Sequence, residues 1–269
     1  DENRFKIITM EQSFHGRTMA TLTATGQDKI KEGFYPLLDG FSYVPFNNIE
    51  ALENEINGAT CAVMLEPVQG EGGIIPADPD YLKAVRNLCN KNGSLLIYDE
   101  IQCGMGRCGS LFAHQLYDVT PDIMTLAKAL GNGLPIGAML ATQEASSGFD
   151  YGSHASTFGG TPLATAAALE VVNIISEEKF LNQVRTKGKY FKEKLRELTQ
   201  KKDRAVSVRG KGLLLGLEVD KDAAFFVSEL MKKGFIINGI QDKVLRFAPP
   251  LIIEEKEIDR LITELDSLL

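Results

Sequence analysis

The sequence predicts an α/β fold: an open, mostly parallel central sheet with helices on both faces, followed by a smaller C-terminal α+β unit. Short strand-like runs alternate with longer helical patterns up to about residue 145. The run Cys61 to Leu65 is continuous and apolar, as a strand buried on both faces requires, rather than alternating. Past residue 160 the texture changes to two long helical stretches and paired strand-like ones. Strand, helix, strand in succession builds right-handed βαβ units, and ligands of such sheets gather outside the carboxyl ends of the strands.

Taken in order, Phe5-Lys6-Ile7-Ile8-Thr9-Met10 predicts a strand, and Ile49, Leu52 and Ile56 fall at helical spacing before a stop at Gly58. Cys61-Ala62-Val63-Met64-Leu65 predicts a buried strand. Asp78-Pro79-Asp80 opens a helix carrying Leu82, Val85 and Leu88 that ends at Gly93. Leu95-Leu96-Ile97-Tyr98, Ile123-Met124-Thr125-Leu126 and Gly137-Ala138-Met139-Leu140-Ala141 predict further buried strands. Helices are expected over Pro162 to Ser176, Phe180 to Leu198 and Ala223 to Lys233, with strand-like stretches at Val206 to Val219 and Phe235 to Phe247. Ile258, Leu261, Ile262 and Leu265 mark an amphipathic closing helix. A boundary is expected near residue 165, dividing a large domain (1–165) from a small one (166–269), with no internal repeat.

Composition narrows the class. A chain of 269 residues with 44% hydrophobic and 24% charged residues has enough apolar material for a well-buried core. A net charge of −7 argues against a nucleic-acid partner, and the basic pair Lys201-Lys202 reads as a solvated helix end. No apolar stretch approaches the roughly 18 residues that a membrane span needs, and the opening Asp1-Glu2-Asn3-Arg4 is not a signal-peptide pattern. Four cysteines (Cys61, Cys89, Cys103, Cys108) in so long a chain do not make a disulfide framework, so a reduced, cytoplasmic protein is expected.

Two acids, Asp99-Glu100, directly follow an uncharged strand and so stand at the sheet's carboxyl edge, although an acid there serves equally well as a cap. Lys128 shifts the balance. It follows the run Ile123 to Leu126 amid small and apolar residues, where desolvation lowers an amine's pKa and makes it a nucleophile. A lysine to carry the cofactor and an acid to keep its ring nitrogen protonated form the minimal site for pyridoxal 5'-phosphate. Other signals carry less. Gly104-Met105-Gly106-Arg107-Cys108-Gly109 matches a dinucleotide fingerprint but lacks the strand immediately before it and the helix after it, and reads as a flexible loop. His15, His114 and His154 stand alone, Cys103 and Cys108 lack a second pair, and no metal site is expected. Asn92-Gly93-Ser94 fits a glycosylation acceptor that a cytoplasmic chain would not use. Glu66 reads as either a structural strand-end acid or a site residue, and Phe14 and Ile101 by type alone as core.

The stretches Ser13-Phe14-His15-Gly16-Arg17-Thr18, Glu66-Pro67-Val68-Gln69-Gly70-Glu71-Gly72-Gly73, Asp99 to Arg107, Lys128-Ala129-Leu130, Ser156-Thr157-Phe158-Gly159-Gly160 and Arg246-Phe247-Ala248-Pro249 stand in one order along the chain. Together they resemble the class III (ω-amino acid) aminotransferases of the type I pyridoxal-phosphate fold. The resemblance implies that Lys128 carries the cofactor and the migrating proton, and that Asp99 pairs with the ring nitrogen. It implies further that Gln102 bonds the ring's phenolic oxygen and that Phe14 and Ile101 sandwich the ring. Thr157 would reach the cofactor phosphate of a neighbouring subunit in a homodimer. Arg17 and Ser156 would meet the substrate, and Glu71 would cover or uncover Arg246 as one pocket serves two substrates, since a guanidinium fork suits a carboxylate. The implied reaction moves an ω-amino group to 2-oxoglutarate, with N-acetylornithine the closest donor. Ornithine, succinylornithine or 4-aminobutyrate are alternatives, as is a non-catalytic cofactor-binding relative. The family's phosphate-binding Ser-Gly-(Thr/Ala)-Glu-Ala-Asn-like stretch has no counterpart before Ser13, so the chain is expected to begin inside the large domain and to hold the cofactor weakly by itself.

Overall fold

The computed structural model describes residues 3–269; Asp1 and Glu2, which open the stretch read against a signal peptide, lie outside the described residues. The first part of the chain runs β1 (Lys6–Met10), α1 (Met19–Ala24), α2 (Asp28–Lys31), β2 (Phe41–Val44), α3 (Ile49–Glu55), β3 (Thr60–Leu65), β4 (Val68–Gln69), β5 (Ile75–Pro76), α4 (Pro79–Asn92), β6 (Leu95–Asp99), β7 (Ile123–Leu126), β8 (Ala138–Ala141) and α5 (Gln143–Ser146). The second runs α6 (Pro162–Ile175), α7 (Glu178–Lys201), β9 (Ala205–Lys211), β10 (Leu214–Val219), α8 (Ala223–Lys232), β11 (Asn238–Ile240), β12 (Val244–Phe247) and α9 (Glu255–Leu268).

The central sheet has the order β2-β1-β3-β6-β7-β8. Its first five members are parallel and β8 returns antiparallel to β7, which is the mostly parallel sheet expected. The reason is visible in α4. Asp78 is its N-cap, Pro79 presets φ in the first turn, and Gly93 ends it in the left-handed conformation at φ 67°. Its apolar stripe of Tyr81, Leu82, Val85 and Cys89 is then pressed onto Ile8, Met10, Val63, Leu65, Leu96 and Tyr98 of the sheet in one buried cluster.

The second sheet, β11-β12-β10-β9, is antiparallel. Phe191 and Leu195 of α7, Phe226 of α8 and Leu261 and Leu265 of α9 close over Leu215, Leu217, Leu245 and Phe247. A third cluster joins the two sheets: Val68, Ile74, Cys103 and Cys108 pack against Leu214, Ile240 and Val244. The boundary expected near residue 165 falls within α6.

Three expectations are corrected. The stretch Val206 to Val219 is two strands, because Gly212 at φ 53° turns the chain back between β9 and β10. Gly137 to Ala141 is not buried: Met139 and Leu140 of the edge strand β8 are 48% and 43% exposed. The glycines of 104–109 lie in a buried series of turns rather than a flexible loop, since a Cβ at Gly104 would meet the Glu100 carboxylate at 2.8 Å. Among the described residues no helix is long and apolar enough to cross a membrane.

Gly188 shows how closely α7 lies on the small sheet. A Cβ there would stand 2.4 Å from the carbonyl oxygen of Gly212. Helix propensity alone favours alanine over glycine by about 1 kcal/mol, but that oxygen is backbone and cannot swing aside. Gly188→Ala is therefore expected to destabilise by about 1–3 kcal/mol despite its better propensity. Urea unfolding decides the sign, and equal or greater stability would contradict the contact.

Candidate active site

Because β1, β3, β6 and β7 are parallel, the chain leaves all of them on the same edge of the sheet. Phe14 and His15 follow β1, Glu66 follows β3, Asp99 and Glu100 close β6, and Lys128 follows β7. Register keeps the last two strands adjacent. Asp99 faces Thr125, whose carbonyl accepts from the Glu100 amide at 3.0 Å, three residues before Lys128.

The three carboxylates of this edge are buried, and each has its own compensation. Asp99 Oδ2 lies 2.8 Å from His15 Nδ1, and Asp99 Oδ1 accepts from the Ile101 amide at 3.1 Å. Glu66 accepts the Phe14 amide at 3.1 Å and the Gly70 amide at 3.0 Å. Glu100 accepts the Ala113 and His114 amides and lies 2.9 Å from His114 Nδ1. Burial, reinforced by the nearby Asp99 charge and opposed by His15 and the two amides, pushes Glu66 up to about 7. Glu100 thus organises the following turns, while the Asp99 charge and the His15 ring act on Glu66 in opposite directions.

Lys128 begins a short 3-10 turn in the left-handed region at φ 46°, an uncommon conformation for a side chain of this size. It is exposed in the single chain, not enclosed as its small neighbours suggested. Partial desolvation of its amine nevertheless lowers its pKa, against the attraction of Asp99, Glu71 and Glu66. A left-handed lysine at a strand end, coupled to a buried acid on the next strand, is strain of the kind that collects at functional sites.

Glu71 pairs with Arg246 of β12 across 175 positions of sequence. Arg246 Nη1 also donates to Gln102 Oε1 at 3.3 Å. Gly70 makes room for Gln102, whose Oε1 would stand 2.4 Å from a Cβ at that position. Phe14 and Ile101 are half-buried at the same edge, tied to Glu66 and Asp99 through their amides. Arg17 is exposed, with its guanidinium 5.7 Å from the centre of the Phe14 ring. The chain's own contacts do not bring Ser156 and Thr157 to this cluster: both are exposed, in a loop that is exposed throughout from Ser153 to Gly160.

His15 and His114 are corrected from isolated residues to partners of Asp99 and Glu100. His15 is the site residue that spacing did not reveal, because its partner lies 84 positions away. The one available signal was its place directly after Phe14 in a stretch leaving a parallel strand. His154 lies in the exposed loop, edge-on to the Phe149 ring.

The arrangement fits pyridoxal phosphate. Gln102 Nε2 is buried and, among the described residues, has no hydrogen-bond partner, as suits a donor kept for an oxygen of a bound ring. Lys128 Nζ would hold the group, Asp99 would meet the ring nitrogen, and Phe14 and Ile101, half-buried at the same edge, would supply apolar surface for its faces.

The aminotransferase class-III family model matches residues 1–269. The chain is 53% identical over 263 residues to the acetylornithine aminotransferase of Methanocaldococcus jannaschii, covering 98% of this chain and 66% of that protein. It is 46% identical over 268 residues to that of Aquifex aeolicus, covering 100% of this chain and 69% of that protein. The chain thus spans about two thirds of the length of these curated relatives. The fold superposes on the ornithine aminotransferase of Toxoplasma gondii ME49 with a TM-score of 0.92 at 34% identity, covering 97% of this chain and 64% of that one. It also matches N-acetylornithine aminotransferase from Stenotrophomonas maltophilia K279a at a TM-score of 0.83 and 36% identity, covering 99% and 66%. A second Toxoplasma gondii ornithine aminotransferase structure (TM-score 0.92, 34% identity, 98% and 63% covered) is described as having partial occupancy of PLP at its active site.

Glu66 makes the buried edge measurable through stability. An ordinary glutamate at 4.5 loses its proton in the unfolded chain well before Glu66 does at about 7 in the folded one. Between these pH values the folded state binds more protons, so stability falls as pH rises through the window and the full penalty, on the order of 3 kcal/mol, stands above it. Glu66→Gln is expected to flatten that decline, whatever its effect on absolute stability. Unfolding free energies at pH 5 and pH 8 test this, and an unchanged difference between them would contradict the assignment.

Proposed function

The chain belongs to the aminotransferase class-III family, and on that premise we propose that it takes part in a pyridoxal-phosphate-dependent transamination of an ω-amino group. The proposed donor is N-acetylornithine and the acceptor 2-oxoglutarate, giving N-acetylglutamate semialdehyde and glutamate. The observation that carries this reading is Lys128, held at φ 46° at the end of β7, its amine partly desolvated and coupled to the buried Asp99 of β6. When bound, pyridoxal phosphate supplies a carbonyl that takes up the amino group and a ring that accepts electrons from the donor carbon.

The chain's own residues divide the remaining tasks. Lys128 Nζ would be the attachment point and, once released, the amine placed to hold and move a proton at the donor carbon. Asp99, fixed on one oxygen by His15 and on the other by the Ile101 amide, stabilises positive charge on the ring nitrogen. Gln102 Nε2, buried and unpartnered among the described residues, would donate to the ring oxygen, and Phe14 and Ile101 would hold the ring's faces. Arg17 would bind the substrate, and Ser156, which lies in the exposed 153–160 loop, would reach it only from a second copy of the chain. Glu71 covers Arg246 when the distal end of the substrate is neutral and leaves it when that end is a carboxylate, so one arginine serves donor and acceptor in turn.

We place a second copy of the chain against the exposed segment 138–174. Leu140, Tyr151, Phe158, Leu163 and Leu169 are large apolar residues exposed there, and Thr157 among them would reach the neighbour's cofactor phosphate. The division of the chain near residue 165 is proposed to separate a large domain (1–165) from a small one (166–269). Four free cysteines accord with a cytoplasmic setting. The acetylornithine aminotransferases, at 53% and 46% identity, favour acetylornithine as the donor over ornithine, whose aminotransferase structures are 34% identical.

Reduction of the holoenzyme with borohydride, followed by digestion, is expected to leave the pyridoxyl label on the Lys128 peptide alone. Label on another lysine would overturn the reading.

A further inference from the structure

Glu71 does not stand on the small sheet with its partner Arg246. It rides on the loop Gly70–Ile74 between β4 and β5, so what fixes that loop decides whether its carboxylate lies over the guanidinium. Glu66 takes the loop's first amide, that of Gly70, at 3.0 Å, and a Cβ at Gly72 would meet the Gln12 carbonyl at 2.7 Å. Within the loop Gly73 stands at φ 116°, and the Ile74 amide closes back on the Gly70 carbonyl at 3.4 Å.

Ile74 is the feature that this loop does not explain. It is a β-branched residue at φ 56°, a conformation such side chains avoid, and it is fully buried. Its side chain is seated in the small sheet. A Cβ at Gly210 of β9 would lie 3.0 Å from Ile74 Cγ2, and one at Gly216 of β10 would lie 3.1 Å from Ile74 Cβ and 3.3 Å from Ile74 Cγ1. Two glycines on neighbouring strands therefore make the socket, and Val244 of β12, two residues before Arg246, shares the cluster. Polar bonds clamp the same loop from the same side. Arg209 Nε donates to the Gly73 carbonyl at 2.6 Å while its Nη1 pairs with Glu218 at 2.9 Å. Gln241 Nε2 donates to the carbonyl of Glu71 itself at 3.1 Å, and to Gln27 Oε1 at 3.2 Å.

We propose that Ile74 in its Gly210–Gly216 socket, together with Gln241, is a specificity-determining positioning set that holds Glu71 over Arg246 and so sets how the site divides its preference between a diacid and a donor with a neutral distal end. The proposal rests on the reading of Glu71 and Arg246 as a gate. The strain at Ile74 is sustained because burial in the small sheet outweighs it, which makes the loop part of the surface that carries Arg246 although its chain belongs to the large sheet. Loosening the anchor leaves Arg246 bare for more of the time, and this favours a second carboxylate.

The test uses the holoenzyme and measures two things. One is the single-turnover rate with glutamate and with N-acetylornithine. The other is the affinity for glutarate, a diacid that cannot react, read from its perturbation of the cofactor absorbance. Glu71→Ala is the reference, expected to shift the rate ratio about tenfold toward glutamate and to tighten glutarate in step. Ile74→Ala should shift both readouts the same way by about three- to fivefold, and Gln241→Ala, at the surface, by about twofold. In the Glu71→Ala background neither change should add to the shift, since the carboxylate it positions is gone. If Glu71→Ala leaves the ratio unchanged, the gate reading falls and the proposal with it. If Glu71→Ala shifts the ratio while Ile74→Ala and Gln241→Ala slow both halves equally, the gate stands and the anchor is overturned. An additive shift in the double variants overturns it too. Should Ile74→Ala fail to fold, Ile74→Val and Gln241→Ala separate the same outcomes.

Discussion

Burying several carboxylates along one edge of a parallel sheet is the constraint from which the rest of this molecule follows. Glu66, Asp99 and Glu100 are at most 3% exposed, and an uncompensated buried charge costs several kcal/mol. Each must therefore be met by donors delivered from elsewhere in the chain. Glu100 collects the amides that open the 113–116 turn and the His114 ring, which turns the glycine-rich stretch after β6 into fixed structure. Glu66 collects the Phe14 and Gly70 amides and so orders the start of the Glu71 loop and the segment leaving β1. Asp99 takes His15 and the Ile101 amide. The local order of the candidate site is the set of solutions to this problem.

Against these fixed acids Glu71 behaves differently. Its side chain is 30% exposed, while that of Arg246 is 16% exposed with its Nε buried and unpartnered among the described residues, so Arg246 needs another carboxylate in place of Glu71 if the pair parts. Buried carboxylates at the sheet edge and one partly exposed carboxylate paired with the small sheet would suit, on the proposed reading, a site with a constant cofactor end and a variable substrate end. The third core cluster, with Ile74 and Val68 against Leu214 and Val244, is what keeps the two ends in register.

Much of this was legible in the sequence where one physical signal decided the outcome. Uninterrupted apolar runs located β3, β6 and β7, and the Asp78–Pro79 start and Gly93 stop bounded α4 within a residue. With the strands parallel, Asp99 and Lys128 had to emerge on one edge, so their neighbourhood followed from strand order. Pairings that need tertiary folding were not legible. Phe41–Val44 is interrupted by Ser42 and so shows no continuous apolar run, and His15 meets Asp99 across 84 positions. The positive φ of Ile74 and Lys128 has no sequence signature, since isoleucine and lysine are residues one would not choose for it. Composition also misjudged exposure. The runs at β8 and the small residues near Lys128 read as interior, but apolar character does not say which surface covers a residue.

Everything proposed for the site turns on whether the buried acid at the end of β6 acts on the cofactor or simply caps the turn that follows. Asp99→Asn separates the two, because asparagine retains the shape and can still accept from the Ile101 amide while the charge is lost. The direct measurement is the single-turnover rate of amino-group transfer in the Asp99→Asn holoenzyme, alongside its cofactor affinity. Cofactor is expected to bind still, more weakly, while the half-reaction slows by roughly 10²-fold or more. Turnover near the normal rate would make Asp99 a structural cap and contradict its role at the ring nitrogen.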